Sequence, residues 1–355
     1  MTRLPDYAVP TGEFVKEWMD DNGINAADLA RRLDVTPKHV SELLHGKVAL
    51  SADVAVSLER VTGIPAEYWS RIEATYRADL VRLASLSTLV EQYERIDKYP
   101  LKYLRKLGFV TAGLKDKATV VSQVLSFFRV ASIDALERSW CQGVAFRKAA
   151  ASSPQKESLL TWLTVAERCV DYSALEPFDK AALQQLLPSL RSLSCDSPET
   201  YTRAIIEMLA GVGVALCFVP EVSGLGIHGA TRWIDDHPVL QLSLRGKTDD
   251  QLWFTLFHEI GHVLLHDTKN LYLEGSGTQN EVEADQFARD ILIPPNMISG
   301  LPRGRNKDKI RQFAIEIGVS PGVVLGRVQH DSGDFGWGHD LKQHFEYSFP
   351  SAIQV

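Results

Sequence analysis

Residues 257–266, FHEIGHVLLH, place two histidines four positions apart with a glutamate beside the first. Residues at i and i+4 of an α-helix lie one turn apart on the same face, so His258 and His262 can reach a single metal ion. Glu259 borders the same cleft and is a candidate general base. This pattern is typical of a catalytic zinc site, although a helix with surface histidines would share it.

The helix that must position these residues is predicted over residues 249–267. At about 100° per residue its apolar side chains cluster on one side, and the two histidines fall roughly opposite them. The apolar cluster comprises Leu252, Trp253, Leu256, Phe257, Ile260, Val263 and Leu264. Thr248 and Asp249 are expected to supply N-cap chemistry. Such a helix can pack on a core while it presents its histidines to a cleft.

A catalytic zinc ion needs a third protein ligand, and residues 280–294 are the best source. Glu281 and Asp285 share a helical face, so one could bind the metal while the other orients a ligand histidine through its second nitrogen. Glu283 points about 200° away from Glu281 and is the competing ligand. His266 could be a ligand, but we expect it either to contact a ligand residue without binding the metal itself or simply to mark the end of the helix.

Composition limits the class of protein. The chain has 355 residues, 45% hydrophobic and 23% charged, which is typical of an ordinary soluble protein of two or three domains. A net charge of -7 argues against bulk binding of nucleic acid or anionic membranes, but it allows a local DNA-reading patch. Four dispersed cysteines indicate neither a disulfide framework nor a thiolate zinc site. With no secretory signal and no apolar run of ~18 residues, we expect a cytoplasmic protein without a membrane span.

The N-terminal region is predicted to be a series of short helices. Their ranges are 13–21, 26–33, 37–44, 51–62 and 65–71. The second and third have the order of a helix-turn-helix, with Pro37 opening the third and Gly46 closing it. The third would enter the major groove of DNA. The residues expected near base edges or phosphates are Thr36, Lys38, His39, Ser41 and Lys47.

Positive charge in this region is concentrated between Arg31 and Lys47. That predicts a small DNA footprint with a strongly salt-dependent affinity. The alternative is a helical module that serves only dimerisation or contact with a partner protein.

The remainder of the chain is helical and then mixed. Residues 76–203 are punctuated by proline and show helical apolar spacing. Residues 212–219, 226–234 and 238–244 are predicted to be three strands of a small sheet. Because an edge strand can hold an extended peptide through its backbone, peptide is a more natural substrate than sugar or nucleotide.

Two family resemblances rest on these motifs. Residues 28–47, DLARRLDVTPKHVSELLHGK, resemble the lambda-repressor-like, or XRE, family, more narrowly its HigA-type antitoxin branch. That resemblance covers about sixty residues. It implies sequence-specific binding of double-stranded DNA as a homodimer.

The metal-binding motif and its downstream partner are similar to the ImmA/IrrE family of metallopeptidases. The likeness rests on FTLFHEIGHVLLH, EVEADQFA and ILIP and covers about residues 207–331. The alignment places the family's third metal ligand on Glu281. The family commonly has asparagine where this chain has Asp285, which makes the segment look more like the thermolysin type. Residues 317–324 also resemble regulators fused to this domain.

These patterns predict an α+β fold that is mainly α. Residues 1–75 would form a lambda-repressor-like DNA-binding domain, residues 76–203 a helical middle domain, residues 204–332 a zincin-like peptidase domain, and residues 333–355 a tail. His258, His262 and Glu281 would bind Zn²⁺, with Mn²⁺ also able to occupy the site. Members of the resembling family cut DNA-binding repressors.

The predicted function is therefore a DNA-binding regulator whose zinc peptidase cleaves a partner repressor or the chain itself. The alternative is a non-proteolytic HigA-like antitoxin or transcription factor, whose metal domain is structural or senses a ligand. A toxin would then be the protein partner.

Overall fold

The computed structural model describes residues 7–142, 155–266, 271–273 and 278–346. The chain divides into two compact units. The first is formed within Met1–Tyr93 and Leu114–Val121, and the second within Glu94–Gly113 and Ser122–Val355. Helices predominate and a single small sheet lies in the described part of the second unit, so the predicted α+β, mainly α class is confirmed.

Five helices build most of the described part of the first unit. They are α1 (Thr11–Asp21), α2 (Ala26–Leu33), α3 (Pro37–Leu44), α4 (Ala52–Thr62) and α5 (Ala66–Glu91). Asn25, Thr36 and Ser51 each accept a hydrogen bond from a backbone N–H in the first turn of α2, α3 and α4. Their core contains Leu29 and Val40, both fully buried. Local capping therefore marks the starts of α2, α3 and α4, and apolar spacing gives the unit its buried core.

Helix α5 extends well beyond its predicted end. The sequence predicted a helix over residues 65–71, but α5 has 26 residues. No glycine or proline interrupts it. The Arg77 guanidinium donates to Glu73 one turn away at 2.7 Å, and the Thr11 hydroxyl donates to the same carboxylate at 2.6 Å. This pairing ties the first turn of α1 to the middle of α5.

Seven helices follow before the sheet in the described part of the chain. They are α6 (Tyr93–Ile96), α7 (Leu101–Lys106), α8 (Lys117–Phe128), α9 (Ile133–Gln142), α10 (Lys156–Cys169), α11 (Lys180–Ser192) and α12 (Pro198–Ala210). The sequence predicts that this helix ends before Pro188, but α11 continues through that residue.

Lys117–Arg138 has the length and hydropathy of a helix that could cross a membrane. In the fold this stretch is two helices, α8 and α9, separated where Arg129 adopts a φ of 54°. Val120, Val124 and Ile133 are fully buried. The most apolar part of the stretch is 44% buried, so it is partly enclosed by the fold.

The sheet has four strands in the order β1-β3-β2-β4. They are β1 (Ala215–Phe218), β2 (Gly229–Ile234), β3 (His237–Leu242) and β4 (Tyr272–Leu273). Strand β1 pairs parallel to β3, whereas β2 pairs antiparallel to β3 and β4. The first three are close to the predicted strands but shorter. Strand β4 was not predicted, because a two-residue strand has too few positions to show alternation.

Four longer helices complete the described part of the second unit. They are α13 (Asp249–Leu265), α14 (Gln279–Leu292), α15 (Lys307–Ile317) and α16 (Pro321–Ser332). Helix α13 packs on β2 and β3 and against α14 and α16. Its predicted apolar stripe is buried, with Trp253, Phe257 and Ile260 fully enclosed.

The start of α13 is held by distant residues rather than by a local cap. Thr248 makes no side-chain capping bond, so its predicted capping role is wrong. Asp249 instead accepts hydrogen bonds from the Ser320 hydroxyl at 2.7 Å and from the backbone N–H of Gln343 at 3.0 Å. Burial raises the pKa of Asp249 despite these bonds. The next residue, Asp250, pairs with Lys342 at 2.7 Å.

Replacement of Ser320 by alanine should destabilise the second unit. The change removes a hydrogen bond to a buried carboxylate and the cap of α16, so we expect the free energy of unfolding to fall by about 1–3 kcal/mol. Urea unfolding followed by tryptophan fluorescence measures the loss. Ser197 is the matched control, since it also precedes a helix-opening proline but makes no capping bond. Ser197→Ala should cost about 0.5 kcal/mol or less. Equal losses in the two variants would contradict this assignment.

Candidate metal centre and nucleic-acid interface

Helices α13 and α14 bring the three predicted metal ligands together. His258 Nε2 and His262 Nε2 lie 3.0 Å apart. One carboxylate oxygen of Glu281, Oε2, lies 3.5 Å from His258 Nε2, and the other, Oε1, lies 3.3 Å from His262 Nε2. All three side chains are buried, and one ligand atom from each lies within 4.8 Å of the others.

These separations fit a tetrahedral metal ion. Ligand atoms about 2.0–2.2 Å from zinc stand about 3.3–3.5 Å from each other. The observed separations run from 3.0 to 3.5 Å when each histidine is measured to the nearer carboxylate oxygen of Glu281. Two imidazoles and one carboxylate are also the donor set of a catalytic zinc site with an open fourth position. The residues present therefore fit such an ion.

The electrostatics of the cluster favour the protonation states that bind a metal. Burial by itself would raise the pKa of Glu281, but hydrogen bonds and charge from His258 and His262 outweigh it and lower that pKa to about 2. Burial is the main cause that lowers the pKa of His262. The carboxylate and the neutral imidazole are the forms that act as ligands.

Each imidazole is also held through its outer nitrogen. His258 Nδ1 lies 2.9 Å from Asp285 Oδ1, and His262 Nδ1 lies 2.9 Å from His266 Nδ1. The structure thus places Asp285 and His266 where they can orient the two histidines. Glu283, the competing ligand in the sequence, does not join the cluster; its carboxylate lies 3.3 Å from His266 Nε2.

Tyr272 on β4 is a site residue that sequence reasoning missed. Its ring stacks on His262, with centroids 4.5 Å apart and an angle of 11° between the planes. It is also buried. Because β4 is so short, nothing in its pattern indicated that it would reach the cluster.

Glu259 lies on the side of α13 that faces β2. It is fully buried, and its carboxylate accepts a hydrogen bond of 2.5 Å from the Thr231 hydroxyl. A Cβ at Gly229 would collide with its other oxygen. The candidate base, which follows His258 in the sequence, therefore lies against the sheet.

The predicted DNA contacts lie on an accessible surface of the first unit. Thr36, Lys38, Ser41 and Lys47 are exposed and His39 is half-buried. On the opposite side of α3, Val40 and Leu43 are buried. Helix α3 thus presents a polar face to solvent, as a groove-reading helix must.

A second helix pair has the same local design but a different environment. Helix α2 is followed by Asp34 with a φ of 55°, and α15 is followed by Gly318 with a φ of 66°. A capping residue then opens the next helix, Thr36 for α3 and Ser320 for α16. Helix α16 packs against α13, with Val324 fully buried, so its first turns cannot enter a DNA groove.

Fold and site together define a class of protein in which a helix-turn-helix domain is joined to a domain with the geometry of an HExxH-plus-glutamate metallopeptidase. Residues 219–329 match the IrrE N-terminal-like domain of peptidase family M78, and residues 15–69 match the helix-turn-helix family. The chain therefore belongs to the XRE-type helix-turn-helix regulators and carries an IrrE/ImmA-like domain, which confirms the XRE and the ImmA/IrrE resemblances at the level of the family. Peptidases of family M78 are typically metal-dependent.

Individual relatives match a smaller part of the chain. It is 31% identical over 84 residues to the HTH-type transcriptional regulator YddM of Escherichia coli K12, a match that covers 22% of this chain and 89% of that protein. It is 36% identical over 66 residues to virulence-associated protein A' of Dichelobacter nodosus, covering 18% of this chain and 57% of that protein.

Replacement of Asp285 by asparagine should weaken metal binding. The change removes the charged partner of the outer nitrogen of His258, so we expect zinc affinity to fall about 10- to 100-fold. Competition titration against a zinc-binding dye measures the affinity.

Asp290→Asn is the matched control for this variant, because it makes the same chemical change on the same helix away from the cluster. Asp290 accepts a hydrogen bond of 2.8 Å from the Gln286 side chain, one turn earlier on α14. The control should bind zinc as the unmodified chain does. Equal affinity in Asp285→Asn and Asp290→Asn would contradict the role given to Asp285.

Proposed function

We propose that this protein is a DNA-binding transcriptional regulator whose M78 domain is a zinc-dependent peptidase. Its substrate would be a regulator protein, either a partner or the chain itself. The observation that carries the proposal is the buried cluster of His258, His262 and Glu281, with the buried Glu259 next to His258 in the sequence, in a chain that also carries a helix-turn-helix. A cytoplasmic location and a homodimer on a two-fold operator belong to the same proposal.

In this mechanism His258, His262 and Glu281 hold the ion, while Asp285 and His266 fix the orientation of the imidazoles. When bound, the ion would supply Lewis acidity toward the scissile carbonyl and toward water. Glu259 takes a proton from the attacking water while the water oxygen forms a bond to the carbonyl carbon. Glu259 then passes that proton to the leaving amine as the C–N bond breaks. Mn²⁺ would suit the same donor set.

The position of β4 supports a peptide as substrate. Strand β4 lies at the end of the strand order, and its Tyr272 contacts the candidate ligand His262. The edge of a sheet can bind an extended chain through backbone hydrogen bonds. A peptide aligned along this edge would pass beside the metal cluster.

Replacement of Glu259 by glutamine tests the enzymatic proposal. The variant keeps the three ligands but loses the proton acceptor, so we expect zinc binding to persist and cleavage to slow by about 100-fold or more. Intact mass spectrometry after incubation with zinc, alone and with candidate repressors, measures cleavage. Glu316→Gln, at an exposed position of α15, is the control. Unimpaired cleavage by the Glu259 variant would rule out this mechanism.

The alternative function is a non-proteolytic HigA-like antitoxin or transcription factor. The burial of the site favours it, because His258 and His262 are each 1% exposed and Glu281 is 7% exposed. A metal enclosed in this way could be structural or could sense a ligand. A stable chain and uncut partners in the mass measurement would favour this alternative, with a toxin as the protein partner.

Replacement of Lys38 by alanine tests the DNA-binding half. Loss of one phosphate contact should weaken binding to the protein's own promoter region and reduce the salt slope by about 1. Fluorescence anisotropy over a salt series measures both. Ser41→Ala should also weaken binding, whereas Lys16→Ala, at an exposed position on α1, is the control. If operator binding is unchanged in the Lys38 and Ser41 variants, α3 is not the reading helix.

A further inference from the structure

The inner face of β2 carries two small residues that enclose the carboxylate of Glu259. Gly229 and Thr231 are two positions apart on one strand, so they face the same side of the sheet. Thr231 is fully buried. Its hydroxyl oxygen lies 2.5 Å from Glu259 Oε2 and 3.1 Å from the Glu259 carbonyl oxygen. A hydroxyl has one proton to donate, and the shorter distance and the charge favour the carboxylate.

Gly229 provides the space that this arrangement needs. A Cβ at this position would collide with Glu259 Oε1 and lie 2.8 Å from the Thr255 methyl group. Gly229 is not among the residues with positive φ. Its lack of a side chain therefore serves close packing rather than an unusual backbone conformation.

The strand that holds these residues is well supported. Strand β2 lies between β3 and β4, and Thr231 is in register with Leu240 on one side and Tyr272 on the other. Tyr272 stacks on His262. One register position of the sheet thus contacts Glu259 through Thr231 and a candidate metal ligand through Tyr272.

We infer that Gly229 and Thr231 form a socket that positions the general base, with Thr231 as its positioning residue. This inference rests on the proposed peptidase function. The Thr231 hydroxyl holds Oε2 of Glu259 and so fixes the orientation of the carboxylate that takes the proton of the attacking water. A site on a rigid strand holds that geometry more closely than a loop would.

Replacement of Thr231 by valine keeps the shape of the side chain and removes the hydrogen-bond donor. In the zinc-loaded full chain we expect kcat to fall about 10- to 100-fold, the range for loss of an outer partner at a metal site, with KM unchanged within about twofold. Thr231→Ser keeps the donor and should restore kcat to within about threefold of the unmodified chain. Zinc affinity should be the same in all three proteins.

A second measurement does not depend on turnover. In the cobalt-loaded chain, the pH midpoint of the visible absorption change should shift in Thr231→Val and stay in place in Thr231→Ser, because only the first removes the hydrogen bond to the neighbouring carboxylate. Thr164→Val is the matched control. Thr164 is also buried, but its hydroxyl donates to the Leu160 carbonyl within its own helix at 2.9 Å.

The outcomes separate this inference from the proposed function. If Glu259→Gln is inactive but Thr231→Val has normal kcat, the socket role is wrong and the peptidase remains. If the unmodified chain cleaves nothing, the proposed function fails, and an unchanged cobalt midpoint in Thr231→Val then overturns the socket as well. Should Thr231→Val melt below the assay temperature, Thr231→Ala removes the same donor with less bulk and is judged by the same criteria.

Discussion

The close packing of α13 against α14 is the contact on which the candidate metal site depends. Gly261, inside the HExxH motif, lets the helices approach, since a Cβ there would lie 3.3 Å from the Ala284 Cα and 3.1 Å from the Phe287 ring. This approach sets Glu281 within 3.5 Å of both imidazoles. Two imidazoles and a carboxylate are costly to bury unless they satisfy one another or share a cation. In this cluster the three side chains contact one another, and their separations also suit a shared cation.

The rest of the second unit holds these two helices in place. Asp249 fixes the start of α13 to the cap of α16 and to the segment near Gln343. On the face that carries the candidate ligands, Asp285 of α14 contacts the outer nitrogen of His258, and His266, the residue after α13, contacts that of His262. Helix α13 is therefore tied at its start by buried hydrogen bonds and beside His258 by α14.

The helix pairs α2–α3 and α15–α16 have the same local structure but lie in different surroundings. A left-handed residue and a capped, proline-opened helix occur in both. Helix α3 leaves Lys38 and Ser41 exposed, whereas α16 is packed against α13. A reading helix needs a free polar face, and among these two only α3 has one.

Much of the site could be predicted from sequence because its residues repeat at helical spacing. His258 and His262 follow from i and i+4 geometry, and Glu281 follows from the family motif on the next helix. Thr231, Tyr272 and Ser320 could not be found this way, because their roles depend on strand register and on contacts between residues far apart in the chain. Helix α5 was predicted too short because its end was set at residue 71, although no glycine or proline occurs there to end a helix.

X-ray absorption at the zinc K edge of the zinc-loaded full chain tests the central claim most directly. If His258, His262 and Glu281 hold the ion, the spectrum will show two imidazole nitrogens at about 2.0–2.1 Å and oxygen ligands at about 2.0–2.2 Å, with no sulfur. In His258→Ala one imidazole should disappear. Sulfur at about 2.3 Å, or an unchanged spectrum in that variant, would contradict the assignment.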